Sequence, residues 1–191
     1  MATYVNDLRL KEIVQGEESG TWGTSTNTNL TLIGDALGYG TQESFSSDAN
    51  ATTTIADGVA DPARAMYFKV TSAGSLTATR TLTVAPNTVS RVMYIENATS
   101  GSQSITVSQG SGASITIATG TTTLVYLDGA GAGAAVVDAL AIINMGVAVA
   151  ASLTLASGAT ITEISTDGTL GGDSDTAAPT EKAVKTYVDA Q

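Results

Sequence analysis

Chemistry in this sequence rests on carboxylates and hydroxyls, because histidine and cysteine are both absent. Imidazole acid–base catalysis, thiolate nucleophiles, disulfides and His- or Cys-ligated metals are therefore excluded. Asp167, Asp173 and Asp175 are oxygen donors of the kind calcium takes, but their spacing lacks a complete loop and its closing bidentate glutamate. A solvated linker explains them better. Glu17 and Glu18, or Asp57 with Asp61, are candidates for the carboxylate pair of a glycosidase. Nothing in the sequence sets either pair across a cleft, and surface loops account for them. Residues 129–133 are glycine-rich like a phosphate-binding loop, yet no lysine follows, so a turn at a sheet edge is expected. Asn29-Leu30-Thr31, Asn50-Ala51-Thr52 and Asn97-Ala98-Thr99 match the glycosylation acceptor, a match that a threonine-rich chain produces by chance. No catalytic, cofactor-binding or metal-binding residue is assigned. The expectation is a protein without cofactor that is not an enzyme.

Charge narrows the partners. Eighteen acidic against eight basic residues give a net charge of -10, and only 14% of residues are charged. Nucleic-acid binding needs clustered Lys and Arg, so it is not expected. Arg64, Lys69, Arg80 and Arg91 are candidates for a patch facing an acidic partner, with dispersed surface charge the simpler account. No apolar run approaches the ~18 residues of a membrane span and no charged-then-apolar leader opens the chain, so no membrane partner is expected.

The elements that would position these residues fall into four segments. In residues 1–40, Asn6 or Asp7 is placed to cap a short helix through Leu8, Leu10, Ile13 and Val14, ended by Gly16. Thr28 or Asn29 is placed to cap a second helix, on which Leu30, Ile33 and Leu37 form one apolar stripe before Gly38. Trp22, the only tryptophan, would sit between them as a local anchor or as a docking contact. Across residues 41–138 the period becomes two, with Met66, Phe68 and Val70, Leu76, Ala78, Leu82 and Val84, Ile105 and Val107, Ile115 and Ile117, and Val125 and Leu127 as the alternating apolar positions. Val92, Met93, Tyr94 and Ile95 make a strand that is apolar on both faces. Strands at roughly ten-residue spacing, punctuated by Gly, Pro, Asn and Asp, predict an antiparallel β-sandwich or small barrel.

Residues 139–170 alternate Val147, Val149, Leu153 and Leu155 with small residues, and Ile161 resumes the pattern. A lone pair of such strands leaves an apolar edge in water, so copies from several chains are expected to cover one another there. Residues 171–191 read as a polar loop and a short helix with Pro179 in its first turn and Val184, Tyr187 and Val188 as its apolar positions. Three turns do not fold alone, so this helix also wants a partner.

Both ends of the chain resemble a known family. The opening Asn6-Asp7-Leu8-Arg9-Leu10-Lys11-Glu12-Ile13, followed by Gly20-Thr21-Trp22-Gly23-Thr24 and Asn29-Leu30, resembles the start of tail-fibre and related virion structural proteins of marine tailed bacteriophages, cyanophage- or pelagiphage-like. So do Ala85-Pro86-Asn87-Thr88-Val89-Ser90-Arg91, the block from Ile95 to Ile105, and Val125-Tyr126-Leu127-Asp128-Gly129-Ala130-Gly131. The ending, from Ser174 through Pro179-Thr180-Glu181-Lys182-Ala183-Val184 to Val188, is similar to a linker that recurs in phage tail-fibre proteins. The resemblance implies a homotrimeric appendage, located in the virion tail, whose N-terminal part joins a tail adaptor, nozzle or baseplate protein.

The expected molecule is mainly β: short N-terminal helices that attach (1–40), a β-sandwich spacer (41–138), an intertwined β linker (139–170) and a terminal loop and helix leading to the distal fibre (171–191), in a homotrimer. Trp22, Leu30, Ile33 and Leu37 would form the attachment interface. Val147, Val149, Leu153, Leu155, Ile161, Val184, Tyr187 and Val188 would form the trimer interface. The function expected is the tail-proximal part of a tail fibre that anchors the fibre and supports host attachment. The alternatives are a capsid decoration or head-fibre protein, and a carbohydrate-binding or depolymerising module.

Overall fold

The computed structural model describes residues 3–141, 153–154, 160–161, 163–172, 174 and 176–191. The chain divides into two units, Met1–Ile143 and Asn144–Gln191.

The first unit opens with an antiparallel hairpin, β1 (Thr3–Val5) and β2 (Leu10–Glu12), where a helix was expected. The reason is local. Asn6 and Arg9 both take positive φ, and the Asn6 side chain accepts from the Leu8 amide at 2.9 Å, so the would-be cap turns the chain back instead. Helix α1 (Trp22–Ala36) is longer than expected and begins at Trp22 instead of near Thr28. Threonine is a weak helix former, but the hydroxyls of Thr28 and Thr31 donate to the carbonyls of Thr24 and Asn27 at 3.0 Å, which accommodates them within the helix. Asn29 does not cap anything. Its amide accepts from the Lys11 N–H (3.0 Å) and donates to the Lys11 carbonyl (2.9 Å), imitating a strand neighbour and fastening hairpin to helix.

The strands follow as β3 (Tyr39–Phe45), β4 (Ala51–Thr54), β5 (Tyr67–Ser72), β6 (Arg80–Ala85), β7 (Ser90–Asn97), β8 (Ile105–Ser108), β9 (Ile115–Ile117), β10 (Thr122–Asp128) and β11 (Val136–Asp138). They build two sheets, one ordered β11-β10-β7-β5-β3 and the other β4-β6-β8-β9. Pairing corrects the antiparallel expectation. β3, β5 and β7 run parallel, as do β4, β6 and β8, and only the β8–β9, β7–β10 and β10–β11 pairs are antiparallel. From β3 to β8 the chain lays one strand in one sheet and the next in the other. Parallel neighbours need long crossovers, and here each crossover is itself a strand of the opposite sheet. The two sheets stay separate, so no closed barrel forms among the described residues.

Both sheets feed one core. Phe45, Phe68, Val70, Met93, Ile95, Val125 and Leu127 come from the larger sheet, and Leu82, Val84, Ile105, Val107 and Ile117 from the smaller. Each such side chain contributes about 1.5–3 kcal/mol on burial. One side between the sheets is stitched by main-chain bonds from Ser111 to Ala132 (2.9 Å), Gly112 to Ala134 (3.1 Å) and Val136 to Ala113 (2.8 Å). A Cβ on Gly112 would lie 2.5 Å from the Gly133 carbonyl oxygen, so glycine is required at this close approach. The glycine-rich 129–133 segment is thus part of a seam.

In the second unit, β12 (Leu153–Thr154) and β13 (Thr160–Ile161) pair antiparallel, and β14 (Glu163–Ser165) and β15 (Ala177–Pro179) pair parallel. Pro179 ends β15 where it was expected to open a helix. Thr180 caps α2 (Glu181–Asp189), its hydroxyl accepting from the Ala183 amide at 3.2 Å, with Glu181 in the first turn.

Candidate interaction surfaces

Helix α1 has two faces. Leu32 and Ala36 are buried, and the helix lies against β2, β3 and the 3-10 turn at Pro62–Arg64. The stripe read from the sequence lies on a different flank, about 90° around the helix from the buried residues. Trp22 is 62% exposed, Leu37 67%, and Leu30 and Ile33 are exposed between them. Trp22, Leu30 and Ile33 on α1 and Leu37 at its C-cap therefore stand together, uncovered by the other described residues. Asp35 is the only charged residue on α1. Sequence reasoning found the outward stripe and missed the inward one, because most of the inward positions are polar (Ser25, Thr26 and Asn29) and carry no apolar signal.

Of the trimer candidates, Val147, Val149 and Leu155 lie outside the described residues. Leu153 and Ile161 are cross-strand partners in the β12–β13 pair. Val184, Tyr187 and Val188 are exposed on α2, whose buried residue is Ala183.

A further surface had no local sequence signal. Tyr39, Tyr67 and Tyr94 are register partners on β3, β5 and β7, and their rings stack at centroid separations of 5.6 and 6.2 Å. Leu124 of β10 continues the row beyond Tyr94, and Val92 and Tyr126 face each other beside it. Three of the four tyrosine hydroxyls are engaged within the face. Tyr67 donates to Glu96 Oε2 (3.0 Å) and lies 3.1 Å from Thr122 Oγ1, Tyr39 accepts from Thr41 (2.7 Å), and Tyr126 accepts from Ser90 (3.3 Å). Lys69 pairs with Glu96 at 3.3 Å, which holds its ammonium above the usual lysine range. The outer face of the other sheet is entirely different: Thr52, Thr54, Thr81, Thr83, Thr106 and Thr116.

The acids weighed for chemistry are mostly committed to structure. Glu18 pairs with Lys11, and Asp57 with Arg9 at 2.6 Å. A groove at the foot of α1 brings Asp35 and Asp61 to one opening beside Tyr39 and Pro62. Asp61, however, is tied to Arg64 (3.2 Å) and to the Ala56 amide (3.0 Å). Asp167 accepts from the amide and hydroxyl of Thr169 at 2.8 and 2.7 Å, and these bonds hold it below the usual carboxylate range. Asp173 and Asp175 lie outside the described residues. Among the described residues no group of three His, Cys, Asp or Glu side chains could hold a metal ion.

The four cations do not gather into a patch. Arg64 is fully buried, Lys69 is paired, and Arg80 donates to Asp48 at 2.8 Å. Arg91 is largely buried, and that burial, with the like charge of Arg64 nearby, pushes its guanidinium below the usual arginine range. Asn97 of the second glycosylation-like match in the β-domain is buried and fully bonded. Among the described residues no helix is long and apolar enough to cross a membrane. The chain matches no family model, no curated protein and no solved structure.

Proposed function

We propose that this chain is a structural component of a phage virion: the tail-proximal part of a homotrimeric tail fibre, anchoring the fibre to an adaptor, nozzle or baseplate protein of the tail. The observation that carries the reading is the uncovered stripe of Trp22, Leu30, Ile33 and Leu37 on a helix whose other face is already used. Large aromatic and aliphatic side chains clustered on one exposed face are what a protein interface anchors on. The two-sheet domain, a β-sandwich in this reading, serves as a rigid spacer between that helix and the terminal segment. Residues 139–191 link the three chains, with Val184, Tyr187 and Val188 of α2 facing partner copies. Three attachment helices on one assembly then act as one strong contact, since the second and third engagements are intramolecular. The opening block and the terminal linker, which resemble phage fibre proteins, support the same assignment.

Antibody raised against the purified chain and applied to intact virions of the phage that encodes it should label the tail in electron micrographs. Label confined to the capsid would replace this reading with a decoration protein, and unlabelled virions would overturn it.

A further inference from the structure

We propose that the outer face of the five-stranded sheet is a docking surface for a second copy of this chain. The inference rests on the homo-oligomeric reading above and adds the surface through which copies meet. The molecule supplies its own control, because the two sheets share one core and one style of strand yet differ in what they turn outward. The smaller sheet presents threonine, which suits a solvated β-surface. The larger presents Tyr39, Tyr67, Tyr94, Val92, Leu124 and Tyr126, with Tyr39 62% and Val92 50% exposed. Tyrosine enrichment with few charges is the composition of an interface centre.

Two observations select the occupant. First, the polar groups of the face are largely satisfied among themselves: three of the four tyrosine hydroxyls are bonded sideways and Lys69 is neutralised by Glu96. A sugar would need free donors and acceptors here, whereas a dry protein contact needs few. Second, the chain carries a net charge of -10, so copies repel wherever carboxylates meet. Its central acid, Glu96, is already paired with Lys69, while the other acids of the face, Glu43 and Asp128, stand at its margins on the edge strand β3 and at the end of β10, so the tyrosine-rich centres of two copies can meet without opposing unpaired carboxylates. Five strands about 4.8 Å apart and about seven residues long give a flat face on the order of 500 Å², which the standing side chains raise toward the roughly 800 Å² per partner of a standard interface.

The chain has no cysteine, so a single introduced thiol is an unambiguous reporter. Full-length V92C and Y126C on this face, and T116C on the threonine face, are treated with a short bis-maleimide at micromolar concentration. Sedimentation velocity reports assembly, and circular dichroism reports folding. The proposal expects covalent dimer from V92C, Y126C or both, and its loss in T116C. A sedimenting oligomer in which T116C cross-links as well as the other two, or in which none does, overturns the proposal while leaving the homo-oligomeric reading intact. A wild-type monomer overturns both. A monomer whose tyrosine fluorescence instead responds to maltohexaose overturns it in favour of a glycan platform.

Discussion

The guanidinium of Arg64 donates to the main-chain carbonyl of Leu8, 56 positions earlier in the chain. The same group donates to the carbonyls of Ala56 (2.5 Å) and Val59 (3.0 Å) and pairs with Asp61, all with Arg64 fully buried. One planar fork therefore holds the tip of the N-terminal hairpin to the loop between β4 and β5. Replacing Arg64 by Met would leave three carbonyls and a carboxylate without their donor, at a cost of about 3–5 kcal/mol. Urea denaturation checks the magnitude. Limited proteolysis should cut first within residues 1–20 of the variant, and an unchanged cleavage pattern would count against the pinning role.

Trp22 is exposed, so Trp22→Ala should leave the unfolding free energy of the isolated protein within about 0.5 kcal/mol of wild type. If the stripe is the attachment surface proposed above, binding to its partner should weaken by about 2–4 kcal/mol. Calorimetric melting together with incorporation into virions separates the two effects. A lowered melting temperature with normal incorporation would show that the ring serves the fold.

Asn97 is buried and its side chain makes four hydrogen bonds. Its Nδ2 donates to the carbonyls of Gln103 and Ile117 at 3.0 Å, and its Oδ1 accepts from the Thr99 amide at 3.2 Å and the Thr99 hydroxyl at 2.7 Å. Asn97→Ala strands all of these partners in the interior, and a loss of about 2–4 kcal/mol is expected by chemical denaturation. Asn97→Asp should not restore stability, because a carboxylate cannot donate to the two carbonyls.

Acid should destabilise the β-domain. Hydrogen bonds from Arg80 and Thr77 hold the Asp48 carboxyl well below the usual carboxylate range, and the amides of Ala135 and Ala130 do the same for Asp128. A carboxylate with a depressed folded-state pKa contributes stability that is present above its unfolded value of about 3.9 and lost as pH falls through the folded value. With no histidine in the chain, melting temperature should be level between about pH 5 and 8 and should fall below about pH 4. A step near neutral pH in a calorimetric series would contradict this.

How far the sequence could be read depended on whether the signal was local. Alternation picked out Phe68, Val70, Leu82, Val84, Ile105, Val107, Val125 and Leu127, which are buried, because each strand's own period decides its buried side, whereas Met66 and Ala78 of the same series precede β5 and β6 and are exposed. The same alternation says nothing about which strand lies alongside, and parallel pairing went unread for that reason. Tyr39, Tyr67 and Tyr94 meet only through that pairing, so their row had no signature within any short window. The hairpin at Asn6 was missed because a residue that caps helices also turns chains, and side-chain chemistry alone does not choose between them. For the attachment stripe, helical spacing located Leu30, Ile33 and Leu37 on one face but could not tell an inward stripe from an outward one.

The alternation of β3 to β8 between two sheets also sets an order of events during folding. None of β3 to β7 pairs with its sequence neighbour, and each of β3 to β6 waits for a strand a full circuit further on. The short-range partnerships within the two sheets are β8 with β9 and β10 with β11, both late in the chain. Loop closure favours the shorter separations, and non-local pairings form slowly. The β8–β9 and β10–β11 hairpins are therefore expected to close before the parallel pairings of the two sheets.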